Sequence, residues 1–373
     1  MDNTTVLSWN VRGLNARARW DAVHTLVDDI RPSIVCLQET KLDVIPHTMV
    51  LSMLGIAFSE FAYLPASETR GGILIAGRQP DVTISEVLVG CYSITVSIEL
   101  PAITGVGPSR WWLTTVYGPQ EDGDKALFLE ELEAVRDACH GPWALTGDFN
   151  LILNEADKSN DRVHRANLRR FRRTVATLEL QDLHLHGTSY TWSNERANPT
   201  LVRLDRVLVS LDWDTLFPNA HLRGLGSETS DHCALLLQTN LAQMRKPRFH
   251  FEVFWPKCED YDEFIAQAWK RPTVACNPLA RLDLMLRNLV RQLQSWSEKR
   301  IGQIKTQLLL ARELVLRLDC AQERRQLSLA ENGLRKQLKM RCLGLSSLER
   351  AMARQGSCFA SYQTVMRTLL TFT

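Results

Sequence analysis

The sequence predicts an α+β fold: two β-sheets sandwiched by helices, then a C-terminal helical segment. Three observations predict it. Many strand-length apolar runs, with a few helical periods between them, fill the first 240 residues. Beyond about Asn240 the apolar residues recur at spacings of three and four instead. The charge segregates at the same place. Residues 1–240 hold 21 Lys and Arg against 30 Asp and Glu, a balance of −9. Residues 241–373 hold 23 against 12, a balance of +11, so the net +2 conceals two units with different jobs.

In chain order, Val6–Trp9 reads as a short strand, and Trp20–Ile30 has a helical period that Arg31-Pro32 breaks. Ile34–Leu37 is a buried-strand run. Further strands are predicted at Gly72–Ala76, Val82–Val89, Cys91–Leu100, Trp111–Tyr117 and Trp143–Thr146. Helices are predicted at Ala126–Ala138 and Arg165–Glu179. Strands recur at Tyr190–Trp192, Leu204–Val209 and Cys233–Gln238. Pro247–Pro256 is an aromatic stretch. From Asp283 to about Leu345, amphipathic helices follow, with Gly302 and Gly333 as candidate turns. No structure is expected over Gly356–Thr373. The reading therefore divides the chain into residues 1–240, a basic helical connector 241–355, and a tail 356–373.

Composition excludes several classes. An apolar fraction of 45% with 23% charged residues excludes disorder over most of the chain. No apolar run approaches the ~18 residues that cross a bilayer. The N-terminus lacks a basic region followed by an apolar one, so no secretory signal is read. The nine cysteines show no paired metal spacing, which fits reduced thiols in an intracellular protein.

Polar clusters stand at the ends of the apolar strands: Asn10 in Ser8–Asn15, Glu39 in Leu37–Lys41, Tyr117 in Val116–Pro119, Asp148 and Asn150 in Gly147–Asn150, and Ser230-Asp231-His232. Leu204-Asp205-Arg206 opens another strand. Alone, each has an ordinary reading as a solvated carboxylate, a cap or a turn. Together they describe one kind of site. Carboxylates and an amide are oxygen ligands suited to Mg²⁺, and the absence of a Cys/His cluster argues against zinc. Such a site fits phosphate-ester hydrolysis: one carboxylate activates water, His, Asn and Tyr stabilise the growing charge, and Asp205 can orient the His.

These motifs resemble the endonuclease/exonuclease/phosphatase superfamily, and within it most of all the endonuclease domain of plant LINE-type (non-LTR) retrotransposons. The motifs that carry the resemblance are Trp9–Asn15, Gln38–Lys41, Val116–Pro119, Gly147–Asn150, Tyr190–Trp192, Arg203–Arg206 and Ser230–His232, in the family's order over about residues 5–240. The resemblance implies a four-layer α/β sandwich with its site at one edge. It implies Glu39 as the main ligand of Mg²⁺ (or Mn²⁺), with Asn10 and Asp231 near the metal. Asp148 would activate water, with Asn150 beside it on the phosphate. His232, oriented by Asp205, and Tyr117 would contact the scissile phosphate or leaving group. Thr191, Arg203 and Ser230, together with Arg12 and Asn15, fall on the DNA side.

The implied activity is single-strand nicking of DNA, and a genomic substrate implies action in the nucleus. An apurinic/apyrimidinic endonuclease, a phosphatase and a silent nucleic-acid-binding relic are the other readings. The basic run Arg162, Arg165, Arg169, Arg170, Arg172 and Arg173 is either a solvated helix face or a contact to the duplex backbone. The C-terminal segment resembles the helical connector of plant LINE polyproteins and could bind RNA. No reverse-transcriptase signature occurs, so the resemblance implies an element product truncated before that enzyme.

Overall fold

The computed structural model describes residues 4–67, 71–101, 110–196, 198–226, 229–240, 260–270, 277–300 and 302–370. The chain begins with Thr5–Asn10 (β1), Arg17–Ile30 (α1), Ile34–Gln38 (β2), His47–Leu54 (α2), Glu60–Leu64 (β3) and Ile73–Gly77 (β4). It continues with Thr83–Val89 (β5), Ser93–Glu99 (β6), Arg110–Tyr117 (β7), Lys125–Ala138 (α3), Trp143–Asp148 (β8) and Arg165–Thr177 (α4). Next come Leu180–Asp182 (β9), Leu185–His186 (β10), Trp192–Ser193 (β11), Leu201–Val202 (β12), Asp205–Ser210 (β13), Leu211–Leu216 (α5), His221–Leu225 (β14) and Ala234–Gln238 (β15). Four helices complete the chain: Tyr261–Trp269 (α6), Pro278–Arg300 (α7), Gly302–Arg324 (α8) and Leu329–Leu370 (α9).

Two mixed sheets form the centre. One runs β10-β14-β15-β1-β2-β4-β3 and the other β5-β6-β7-β8-β13-β9, with β11 and β12 paired apart from both. The side-chain period of two divides each strand between two cores. Ile34 and Cys36 of β2 face the inter-sheet core with Ile73 and Ile75, opposite Val96, Leu113 and Val207 of the other sheet. Val35 and Leu37 point outward, onto Val23, Leu26 and Val27 of α1 and Val50 and Met53 of α2. On the far side Trp143, Leu145 and Leu208 pack against Phe128 and Leu132 of α3 and Phe171 of α4. Strands covered on both faces favour continuous apolar runs, as in Ile34–Leu37 of β2 and Ile73–Ala76 of β4, whereas β6 alternates apolar residues with buried Ser93, Thr95 and Ser97. The result is the expected four-layer sandwich, followed by helices.

Strand directions gather the site. β1 and β2 are parallel, with Asn10 opposite Gln38 at their C-terminal ends. β15 runs antiparallel to β1, so the residues just before it, including His232, reach that same end. In the second sheet β7 and β8 are parallel with Tyr117 opposite Asp148, and antiparallel β13 sets Asp205 opposite Asp148.

The elements missed in sequence are the short or mixed ones. β3 is only half-buried along its length, and β14 alternates polar with apolar residues, so neither makes a solid apolar run. α2 follows Pro46, its extended N-cap. The strand predicted at Tyr190–Trp192 begins at Trp192. Gly302 does open a helix, but Gly333 lies inside α9 and is not a turn. The break falls at Arg325–Ser328, where Ser328 and Glu331 form a capping box: the Glu331 amide donates to Ser328 Oγ (3.2 Å) and the Ser328 amide to Glu331 Oε2 (2.8 Å). The stretch after Gly356 was expected to lack structure, yet α9 continues to Leu370. It contains no Pro, and an established helix extends one bond per residue. The aromatic stretch Pro247–Pro256 lies outside the described residues.

By contacts the chain forms two units, residues 1–244 with 312–343, and residues 245–311 with 344–373. The first unit thus takes Arg312–Leu343 from the segment read as a connector. Arg312 Nη1 pairs with Asp29 Oδ2 of α1 at 2.8 Å, and Val315 and Cys342 are buried. In the second unit, Trp296 of α7 stacks on Phe264 of α6 (5.5 Å) and meets Tyr261 edge-on (5.7 Å). Among the described residues no helix is long and apolar enough to cross a membrane.

Ile75 is fully buried between the sheets. Ile75→Ala should cost about 2–5 kcal/mol through lost burial and the cavity left behind. A shift of the urea midpoint at constant slope would show it, and an unchanged midpoint would refute the inter-sheet placement.

Candidate active site

The site is a ring of hydrogen bonds across the edge shared by the two sheets. His232 Nδ1 meets Asp205 Oδ2 at 2.9 Å. Its Nε2 faces Asn10 Nδ2 at 3.4 Å and Asp148 Oδ2 at 3.8 Å. Asn10 Nδ2 donates to Asp148 Oδ2 (2.9 Å), and its Oδ1 accepts from the Arg12 amide (3.0 Å). The Asn150 amide donates to Asp148 Oδ1 (2.9 Å), while Asn150 Nδ2 donates to the Gly118 carbonyl (2.8 Å). Asn10, Asp148, Asp205 and His232 are all buried.

Burial sets the proton affinities. It pushes Asp148 up to about 7, against the pull of the His232 cation. Burial also works against a charged imidazole, but the Asp205 and Asp148 carboxylates outweigh it and raise His232 to about 9. Burial, with the Glu39 and Asp148 carboxylates nearby, raises the Tyr117 phenol well above its ordinary value, so its hydroxyl keeps its proton.

The backbone around the site is strained. Arg12, Glu39, Lys41 and Asn150 all adopt positive φ, from 49° to 56°, a region costly for residues with a side chain. Two glycines permit the close approach of its parts. A Cβ on Gly71 would lie 2.8 Å from Glu39 Cγ and 2.9 Å from a Tyr117 ring carbon. Gly147 has φ +132°, and a Cβ there would lie 2.2 Å from the Val116 carbonyl oxygen.

Glu39 pairs with Lys41 (2.9 Å). Asp231 Oδ2 pairs with Arg12 Nη1 (2.7 Å) and accepts from Trp192 Nε1 (3.0 Å). Its buried Oδ1 has no hydrogen-bond partner among the described residues. That orphaned oxygen, the Glu39 carboxylate and the Asn10 amide oxygen are hard donors that fit a Mg²⁺ or Mn²⁺ ion. Among the described residues, the His, Cys, Asp and Glu groups whose ligand atoms lie within 4.8 Å of one another are Asp148, Asp205 and His232, a set that does not include Glu39 or Asp231.

The residues expected on the DNA side divide in two. Arg12, half-exposed, and Asn15 face solvent. Thr191, Arg203 and Ser230 turn inward as braces. Thr191 Oγ1 accepts from the Leu204 and Asp205 amides (3.0 and 2.9 Å). Arg203 Nη2 binds Asp182 Oδ1 (3.0 Å) and the Leu183 carbonyl (2.9 Å). Ser230 Oγ donates to the Asn10 carbonyl (2.7 Å) and accepts from the His232 amide (3.1 Å). All six arginines of the basic run are exposed, with Arg172 anchored to the Leu153 carbonyl and to Asn154 Oδ1. Lys41, Gly71 and Trp192 contribute to the site without having been singled out in sequence. Lys41 and Trp192 sit within quoted motifs, whereas Gly71 carries no local signal.

His232 gains affinity for its proton on folding, from an ordinary 6.5 to about 9. The stability it contributes is fully present below pH 6.5 and is lost as pH rises through 9. In EDTA, the gap in unfolding midpoint between wild type and His232→Gln should therefore be wider at pH 6.5 than at pH 9. A gap that stays constant or widens with pH would contradict the paired imidazolium.

Solved structures with likeness to the chain include the endonuclease domain of TRAS1, a telomere-specific non-LTR retrotransposon, at 15% identity and TM-score 0.47, covering 65% of this chain and 100% of that one. Another is D. rerio TDP2 complexed with single strand DNA product, at 18% identity and TM-score 0.44, covering 64% and 99%. A third is the AP endonuclease LMAP from Leishmania major, at 18% identity and TM-score 0.46, covering 66% and 88%. No curated protein matches the chain. Residues 7–232, more than half of the chain, match the endonuclease/exonuclease/phosphatase family in sequence. With its two helix-covered sheets and its polar edge, the chain belongs to the endonuclease/exonuclease/phosphatase family.

Proposed function

We propose that the chain is a Mg²⁺-dependent DNA endonuclease, derived from a non-LTR retrotransposon, that hydrolyses one strand and leaves a 3′-hydroxyl. One observation carries the reading: His232, held through Nδ1 by Asp205, turns Nε2 toward Asp148 and Asn10 at a buried polar edge. Family membership covers nucleases and phosphatases alike. The Trp9–Asn15 and Val116–Pro119 motifs, which resemble LINE endonucleases, favour the nuclease.

Asp148 is the water-activating group. Its proton affinity near neutrality suits it to accept the proton of the attacking water, and the Asn10 amide and Asn150 backbone N–H hold the carboxylate in place. His232, charged at neutral pH, donates Nε2–H to a phosphate oxygen as charge grows there. Asp205 fixes the ring so that Nε2 faces Asn10 and Asp148. Tyr117 keeps its proton and adds a donor near Glu39. Glu39, with Asn10 and Asp231, would hold the Mg²⁺, which when bound supplies positive charge to the phosphate and the leaving oxygen. Arg12 and the exposed arginines on and before α4 bind the DNA backbone, with affinity that falls as salt rises.

Purified protein should nick supercoiled plasmid in Mg²⁺ and lose that activity in EDTA. Glu39→Ala and His232→Ala should each lose about 10²-fold or more, as when a preorganised charge-stabilising group is removed. A strong preference for a duplex carrying an abasic site would reassign the activity to a repair-type relative. Folded wild type that binds DNA and cuts neither substrate would sink the catalytic reading in favour of a silent binding relic.

A further inference from the structure

Arg312–Leu343 lies far beyond the last strand of the sandwich, yet packs as part of the same unit. Arg312 at its start pairs with Asp29 of α1, while Glu323 and Lys339 reach the two segments that meet at His232. On one side, Glu323 of α8 accepts from the backbone N–H of Ser189 (2.9 Å) and Tyr190 (3.4 Å) and from the Thr188 hydroxyl. The next residue, Thr191, connects directly to the catalytic framework. Its Oγ1 accepts from the Asp205 amide, and its carbonyl accepts from the Cys233 amide at 2.7 Å. On the other side, Lys339 of α9 donates to the Ser230 carbonyl (3.2 Å) and to Glu195 Oε1 (2.6 Å). Ser230 Oγ then holds the His232 amide and the Asn10 carbonyl. Both routes end on the Asp205–His232 pair.

Burial decides what these charges do. The Lys339 side chain is 13% exposed and that of Arg335 8%, too enclosed for either to serve as a mobile contact to DNA phosphate. Arg335 binds Asp319 and Glu195, so two cations meet two carboxylates within the brace. A locally balanced cluster adds little attractive field for a polyanion. Its multiple fixed hydrogen bonds do restrict the loop that carries His232.

We infer that Arg312–Leu343 is a built-in brace of the nuclease centre, in which Lys339 and Glu323 are positioning residues for His232 and Asp205. The inference rests on the nuclease reading and extends the functional unit beyond residue 232, where the family match ends. Catalysis is sensitive to such restraint, because a displacement of about 1 Å originating far from the chemistry costs on the order of 10²-fold.

The test uses the full chain with Lys339→Met, which keeps most of the aliphatic stem and removes the donors, and with Lys339→Arg, which restores a charged donor. Nicking of supercoiled plasmid in Mg²⁺ gives kcat and KM, and hydrogen exchange reports on the His232 and Cys233 amides. K339M should lower kcat by about ten- to a hundredfold at unchanged KM. Its His232 and Cys233 amides should exchange faster while those of β2 and β7 do not, and K339R should recover most of both properties. Wild-type kcat with wild-type exchange in K339M would overturn the brace. So would a loss that Arg does not rescue, or faster exchange throughout the sandwich. If K339M fails to fold, Glu323→Met on the other route, which removes the acceptor, is read in the same way, with Glu323→Gln, which keeps an acceptor oxygen, as its rescue. If the wild type does not nick, the nuclease reading falls and exchange alone decides the brace: local acceleration supports it, and none refutes it.

Discussion

Face-to-face packing of the two sheets is the constraint on which the site depends. Asn10, Glu39 and His232 stand at the edge of the seven-stranded sheet, while Tyr117, Asp148 and Asp205 belong to the six-stranded one. The Asn10–Asp148 and Asp205–His232 hydrogen bonds cross from sheet to sheet at the rim of the inner core. Their lengths are set by the spacing that Ile34, Ile75, Val96, Leu113 and Val207 maintain beneath them. A close-packed interior transmits small changes of volume, so core substitutions can disturb the site without touching it.

The same packing explains the electrostatics. Asp148 and His232 are removed from most solvent, so each favours the other's charged form, while the Asp205 carboxylate favours the imidazolium and opposes a charged Asp148. Burial raises Asp148 to about 7, and the two carboxylates raise His232 to about 9 against the pull of burial. Positive φ at Arg12, Glu39, Lys41 and Asn150 is a further local cost, borne because the surrounding strands over-determine these positions. Beneath this edge, fully buried Arg206 bridges Asp157 and Asp182, anchoring the start of β13 just beyond Asp205.

The helices beyond the sandwich are amphipathic and gain stability by burying one face. Part of α8 and α9 packs in the unit of the sandwich, where Arg312 pairs with Asp29 of α1, and Glu323 and Lys339 meet backbone donors and an acceptor of the loops near His232. The charge surplus of residues 241–373 is therefore not simply a solvated nucleic-acid-binding face. Within Arg312–Leu343 some of it is paired with Asp29 and Glu195 of residues 1–240.

The layers of the sandwich were legible in the sequence because strands buried on both faces write continuous apolar runs, and helices on one face write a 3.6-residue period. The site residues were legible as a set because each polar cluster ends or begins such a run. Local pattern was insufficient for β3 and β14, whose mixed faces carry no strong period, and for the break before α9, whose capping box lay in view at Ser328 and Glu331. Residue types and their order were thus determined by the sequence alone. Only the tertiary structure decided that Thr191, Arg203 and Ser230 turn inward as braces, that Gly71 admits Glu39 beside Tyr117, and that Lys339 reaches the His232 loop. Those outcomes depend on contacts between residues 14 to 220 positions apart, and such contacts leave no periodic trace along the chain.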